Sequence, residues 1–370
     1  MNFERVDGPP DAFGRHLRDL RISVTDRCNF RCPYCMPAEV YGERYEFLPK
    51  PEILTFEEIV RFAGLFTQLG VRKIRLTGGE PLLRADLPQL IEGLVALDGI
   101  EDIALTTNGY LLADRAQLLK DAGLSRITVS FDSIDEDVYK AMNGRDFSTE
   151  RVLAGITAAK EVGLNPIKIN AVVQKGVNDH TIVDLASHFK GTGHIVRFIE
   201  FMDVGTVNAW DAESVVTADQ IAEAINNEFP ITRAEPGYPG EVATRWSYDD
   251  GSGEIGIISS VSEPFCGDCT RARLSTDGQL VTCLFAAGGT DLKGPMRAGA
   301  TDDELLQLMT GIWTSRKDRY SELRAFQAGR DPSNATQDAP TPRVTGAPIP
   351  KGIKKLRDKK SKIEMYQIGG

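Results

Sequence analysis

Between Leu20 and Phe201 short apolar runs alternate with longer stretches whose apolar residues recur at helical spacing. Leu20 to Thr25 has strand length. Thr55-Phe-Glu-Glu58 carries a capping-box pattern, and Ile59, Phe62, Ala63 and Phe66 hold the helical period until Gly70. The alternation continues with a strand over Val71 to Thr77, a helix over Asp86 to Leu97, a strand over Asp102 to Thr106 and a helix over Leu112 to Ala122. A strand over Arg126 to Phe131, a helix over Thr149 to Val162, a strand over Ile167 to Gln174, a helix over Asp179 to Phe189 and a strand over His194 to Phe201 complete it. Six βα repeats predict a parallel sheet with right-handed connections, either open and doubly wound or curved into a barrel.

From about Asp203 the alternation breaks. Residues 234 to 270 are rich in Gly and Pro, with short β-like runs such as Gly256 to Val261, and a helix is predicted over Asp302 to Asp318. Residues 327 to 350 carry Pro, Ala, Thr and Asp without apolar period, which predicts a disordered insertion. Lys351 to Lys362 holds seven basic residues and one acid, before the ending Met365-Tyr-Gln-Ile-Gly-Gly370. The expected organisation is a βα unit over 1–235, a second unit over 236–326, the insertion at 327–350 and a basic tail over 351–370.

With 370 residues the chain can bury a large core, and its 41% hydrophobic content is that of a globular protein. No apolar run reaches membrane-spanning length, so no membrane role is expected. The net charge of −10 argues against general nucleic-acid affinity; an anionic ligand would have to be met by a local cluster of Arg and Lys. Met1 to Asp11 is polar and broken by Pro and Gly, so a cytoplasmic location is expected.

The six cysteines fall in two triplets: Cys28-x3-Cys32-x2-Cys35, and Cys266-x2-Cys269 followed by Cys283. Each triplet is odd, which disfavours disulfides. Three thiolates suit a [4Fe–4S] cluster with one iron left open to a ligand that is not protein. Zinc competes, above all for the second triplet, although the four histidines (16, 180, 188 and 194) lie away from Cys266 to Cys283.

The first triplet, with Tyr34 before its last Cys, resembles the cluster motif of radical S-adenosylmethionine enzymes, as does the later Thr77-Gly78-Gly79-Glu80-Pro81. The resemblance implies an incomplete (β/α)6 TIM-type barrel with a C-terminal α+β extension carrying a second cluster. It also implies that the open iron of the first cluster holds S-adenosylmethionine, which is cleaved to a 5′-deoxyadenosyl radical. Gly78 and Gly79 would let backbone approach that ligand, and Glu80 could accept from its ammonium. The second triplet with Arg271 and Arg273, together with the terminal Gly369-Gly370, narrows the resemblance to the GTP 3′,8-cyclases that open molybdenum cofactor biosynthesis. It covers nearly the whole chain, departing at Gln367, where relatives often show Tyr.

That family's reaction joins C3′ of the GTP ribose to C8 of guanine, with guanine held at the second cluster. Its product passes to cyclic pyranopterin monophosphate synthase. The electron donor is unknown, and the state expected is monomer or homodimer. A triphosphate calls for several cations, preferably Arg forks. Arg271 and Arg273, two apart on an extended segment, point to one face. Matching motif positions imply GTP contacts at Arg21, Arg75, Thr106, Lys168, Asn170, Arg197, Arg271, Ala272 and Arg273. Lys168 and Asn170 stand out because a parallel strand should be apolar on both faces. For S-adenosylmethionine the matching positions are Tyr34, Gly79, Glu80, Ser130 and Met202, and for catalysis Arg21, Gly369 and Gly370. Two other readings remain at this stage: a radical enzyme with another substrate such as a peptide, and an iron–sulfur electron carrier.

Overall fold

The computed structural model describes residues 7–238, 240–327 and 363–369. Most of the expected insertion and basic tail, with Gly370, therefore lies outside the described residues.

Six parallel strands follow one another in space as in sequence: β1 (Asp19–Ser23), β2 (Lys73–Thr77), β3 (Asp102–Thr107), β4 (Arg126–Ser130), β5 (Lys168–Val173) and β6 (Ile195–Glu200). Between them run α1 (Phe56–Gln68), α2 (Leu87–Val95), α3 (Ala116–Asp121), the pair α4 (Glu136–Asn143) and α5 (Thr149–Glu161), and α6 (Ile182–Phe189). Thr55 caps α1 with the expected capping box, its hydroxyl accepting from Glu58 N. Phe62 and Phe66 of α1 and Leu90, Ile91 and Leu94 of α2 join Leu20, Ile22, Ile74, Leu76, Ile103 and Ile127 in one core. Each such side chain stabilises the fold by about 1.5–3 kcal/mol relative to exposure.

The partial barrel does not close on itself. After α7 (Ala218–Glu228), the strands β7 (Ile231–Ala234), β8 (Thr244–Tyr248) and β9 (Glu254–Ile258) join one edge, with β9 parallel to β6. The strands β10 (Arg271–Leu274), β11 (Gln279–Val281) and β12 (Thr290–Asp291) join the other, with β10 parallel to β1. The result is one twelve-stranded sheet, β12-β11-β10-β1-β2-β3-β4-β5-β6-β9-β8-β7. Residue 235 thus lies inside a hairpin, since β7 and β8 pair directly across it. The helices α8 (Lys293–Arg297), α9 (Asp302–Thr314) and α10 (Tyr320–Gln327) follow, and α11 (Met365–Ile368) returns to the barrel. The expected helix to Asp318 ends at Thr314, and Gln327, placed in the insertion, closes α10.

The polar residues of the parallel strands are on alternate positions. Along β5 and β6, Ile169, Ala171, Val196 and Phe198 are buried on the helix side, while Lys168, Asn170 and Arg197 face inward with Ile195 and Ile199. The inner face of this sheet is polar because it lines a cavity.

Candidate active site

The loop after β1 carries the first triplet. Cys32 O accepts from Cys35 N at 2.9 Å and Met36 N at 2.8 Å, coiling the loop so that all three thiols face one region. Phe30 anchors it between Phe147, Tyr110 and Tyr139, and the buried Arg31 donates to the carbonyls of Tyr41, Cys28 and Phe30. The thiols are half-buried. Burial, then the nearby Glu80 carboxylate, pushes Cys28 up to about 12; burial likewise raises Cys32 and Cys35.

Gly78 and Gly79 hold this loop. A Cβ at Gly78, whose φ is +145°, would lie 2.4 Å from Thr25 O, and one at Gly79 would lie 2.3 Å from Arg27 O. Gly79 N donates to Thr25 O and Glu80 N to Arg27 O, both at 2.8 Å. The expected close approach of backbone to a ligand is, here, a close approach to the cysteine loop. Glu80 is 1% exposed. Its carboxylate accepts from Leu82 N at 3.0 Å, Thr107 Oγ1 at 2.7 Å and Asn108 N at 2.7 Å, while burial pushes its pKa up to about 7. With these contacts the carboxylate ties the turn after β2 to the end of β3.

The second triplet lines the cavity inside the sheet, which spans about 1630 Å³ with its open mouth included. Register explains the cations there: Arg273 of β10, Arg21 of β1 and Arg75 of β2 stand side by side on neighbouring strands. Arg271 lies two positions before Arg273 on the same face. Lys168 and Arg197 approach from β5 and β6. Among the described residues none of these six forms an ion pair, although Asp19 and Glu241 line the same cavity, as do the pairs Arg126–Asp102 and Arg245–Glu254. Arg75 donates to the hydroxyls of Thr106 and Thr128, both at 3.1 Å, and Arg197 Nε to Asn170 Oδ1 at 3.0 Å. Burial, then Arg197, pushes Lys168 down to about 8. Burial, then Arg273 and Arg75, holds Arg21 well below its ordinary value. Cys269 moves the other way: burial raises it, but Arg271 and Arg316 prevail and bring it down to about 6.

Of the residues expected at GTP, eight face this cavity: Arg21, Arg75, Thr106, Lys168, Asn170, Arg197, Arg271 and Arg273. Ala272 does not. Its side chain is fully buried in the hydrophobic core against the helices, because alternation along β10 turns it away from its two arginine neighbours. Met202, expected with S-adenosylmethionine, lines this same cavity. Tyr34 donates from its hydroxyl to the buried Asp132 at 2.9 Å, and Ser130 stands in register with Asn170. Gly369 is buried against Thr77: a Cβ there would lie 2.0 Å from Thr77 Cγ2. The rest of the turn is anchored by Tyr366, whose ring packs on Tyr41 at 5.0 Å, and by Glu364, which accepts from Thr206 N and Oγ1. Gly370 lies outside the described residues. Sequence reasoning missed Asp132 and Arg316, each outside any motif; Arg316 reaches Cys269 only through the tertiary fold.

The donor sets suit iron–sulfur ligation. Each offers three free thiols, and the charge of one is felt by its neighbours.

Three thiols at the C-terminal end of the first barrel strand, clasped by a Gly-Gly-Glu-Pro turn, define a radical S-adenosylmethionine enzyme. The profile of the radical SAM superfamily matches residues 22–189, and that of Molybdenum Cofactor Synthesis C matches residues 194–322. A GTP 3′,8-cyclase of Acidothermus cellulolyticus is 50% identical across 97% of this chain and 98% of its own length. One of Staphylococcus saprophyticus is 52% identical across 87% of this chain and 95% of its own. The chain belongs to the GTP 3′,8-cyclase family. Among solved structures, methylornithine synthase is a distant likeness, at 17% identity and a TM-score of 0.44 over 58% of this chain and 63% of its own.

Proposed function

We propose that this chain converts GTP into (8S)-3′,8-cyclo-7,8-dihydroguanosine 5′-triphosphate, the first step of molybdenum cofactor biosynthesis, using two [4Fe–4S] clusters and S-adenosylmethionine. The observation that carries the reading beyond family membership is the set of six cavity cations without carboxylate partners, next to three thiols. Such cations are costly to bury together unless an anion joins them. A triphosphate supplies that charge, and five of the six are Arg, whose forks match phosphate oxygens.

Cys28, Cys32 and Cys35 would hold one cluster and Cys266, Cys269 and Cys283 the other. A cluster at the first triplet would supply the electron that splits S-adenosylmethionine, chemistry that no side chain provides. Tyr34, Gly79, Glu80, Ser130 and Met202 are assigned to positioning that cofactor, Glu80 from the turn it also braces. Arg21, Arg75, Lys168, Arg197, Arg271 and Arg273 hold and orient the triphosphate, with Thr106 and Asn170 fixing two of their side chains. A cluster at the second triplet would leave an iron open to a non-protein ligand, the place the family resemblance gives to guanine. The turn Met365–Ile368, anchored by the buried Tyr366 and Ile368, brings Gly369 against Thr77 at the end of β2. Neither a peptide substrate nor electron carriage calls for this many inward cations.

The product's consumer would be a cyclic pyranopterin monophosphate synthase, and six free thiols suit a reducing cytoplasm. Among the described residues no helix is long and apolar enough to cross a membrane. The test is anaerobic incubation of reconstituted protein with S-adenosylmethionine and dithionite, with and without GTP. Cyclised nucleotide and 5′-deoxyadenosine are expected together when GTP is present. Protein with both clusters loaded that cleaves S-adenosylmethionine yet leaves GTP intact would refute the assignment.

A further inference from the structure

Behind the second triplet lies a set of buried charges that phosphate binding does not explain. Arg316, 4% exposed, sits just beyond α9. Its Nη2 donates to Cys269 Sγ at 3.1 Å and its Nη1 to Cys269 O at 2.8 Å. Arg15, also buried, donates from Nη1 to Cys266 O at 2.7 Å and to Asp318 O at 3.0 Å. Between the two arginines lies Asp11, whose carboxylate accepts from Arg15 Nε at 2.7 Å and from Arg316 Nη1 at 3.3 Å. Asp318 Oδ2 stands 3.4 Å from Arg316 Nε and accepts from Thr282 Oγ1 at 2.6 Å, next to Cys283. One network thus reaches all three cysteines or their immediate neighbours.

Its charges are not interchangeable. Arg271 also comes within 3.4 Å of Cys269 Sγ, and both arginines border the cavity, but Arg271 is in no ion pair and is available to an anion. Arg316 is committed: two of its nitrogens serve Cys269, Asp11 and Asp318 flank it, and it lies 4.7 Å from the centre of the Trp313 ring. A guanidinium fixed in this way keeps its place when the cavity fills or empties. Hydrogen bonds to ligand sulfur and nearby positive charge are what set the potential of an iron–sulfur centre, since both stabilise the more negative reduced state.

We propose that Arg316 is a positioning residue that fixes Cys269 Sγ and raises the reduction potential of the cluster at the second triplet, with Asp11 partly offsetting its charge. This rests on the reading of that triplet as a [4Fe–4S] site. It belongs to the arrangement of this chain's own side chains and does not depend on what the cavity cations bind.

The test uses full-length protein in which Cys28, Cys32 and Cys35 are replaced by Ala, so that only the second cluster is loaded and observed. Iron and sulfide content is measured first, then the potential by redox titration followed by electron paramagnetic resonance. Arg316→Gln should lower the potential by at least about 59 mV, a tenfold change in a one-electron equilibrium. Arg316→Lys, which keeps the charge and loses the fork, should lower it less. Asp11→Asn, which removes a negative charge at nearly constant shape, should move it upward. A merely structural network would not give opposite signs. Unchanged potentials with full iron content, shifts of the same sign for Arg316→Gln and Asp11→Asn, or loss of iron from both Arg316 variants would overturn the proposal. Zinc or no metal in the parent protein would instead refute the assignment of the triplet.

Discussion

Replacing Arg273 by Met should strengthen the empty protein and weaken its hold on GTP. Arg273 is 3% exposed, stands beside Arg21 in register, and its Nε has no hydrogen-bond partner. Burial, then the charge of Arg271, brings its guanidinium from an ordinary 12.5 to about 10. That displacement corresponds to up to about 3 kcal/mol of cost to the folded state at neutral pH. Met keeps an unbranched apolar stem of similar reach and removes the charge, so cluster-free protein should gain on the order of 1–3 kcal/mol in chemical unfolding. A charge-assisted contact to phosphate contributes about 1.5–3 kcal/mol, so GTP binding measured by calorimetry should weaken by about 10- to 150-fold. Guanosine, which lacks the phosphates, should bind poorly to both proteins and scarcely distinguish them. The reasoning fails if Arg273→Met lowers stability while GTP binds as before, because the arginine would then serve the fold.

Anaerobic reconstitution should give two clusters per chain; Ala at Cys28, Cys32 and Cys35 should remove half the iron and all cleavage of S-adenosylmethionine. Ala at Cys266, Cys269 and Cys283 should remove the other half and leave cleavage without cyclised product, as read by iron analysis and chromatography. Lys168, brought down to about 8, is charged below that pH and loses its proton as pH rises through it. GTP affinity should therefore fall between about pH 7 and pH 9, and Lys168→Met should bind weakly at both with the slope gone. Deleting Gly369 together with the residue after it should spare both clusters and GTP affinity while turnover collapses; full turnover would show that the buried turn has no part in the reaction.

The six-strand core was legible because each strand is a short apolar run bounded by helix signals, and because Lys168 and Asn170 announced an inner face that is not hydrophobic core. Other signals were local yet passed over. Asp135 caps α4 and Gly144, at φ +62°, ends it; Thr217 and Gln220 form a capping box on α7. Neither helix was assigned from the sequence. The inward direction of Arg271 and Arg273 follows from strand alternation, which is also why Ala272 faces the core instead. What no local pattern could show is pairing at long range. That β10 lies against β1, and that Arg316 meets Cys269, depends on segments far apart in the chain. The two glycines before Glu80 were read as space for a ligand; the structure adds that they also admit the backbone of Thr25 to Arg27. Sequence shows that a side chain is missing there, not what occupies the space.

The strands that flank the partial barrel also bear on how the chain is made. β1 is synthesised before the other described strands, and it carries Leu20 and Ile22, both fully buried in the finished protein. The partner for one of its edges, Arg271 to Leu274, emerges only about 250 residues later. At about 5–20 residues per second, this is roughly ten to fifty seconds during which that edge can pair with another nascent chain. The opposite edge, β6, waits far less, because Glu254 to Ile258 follows soon after it. Fragments that stop before β10 should therefore associate through β1, and high-yield expression should depend on slow synthesis or on chaperones that cover that edge until its partner arrives.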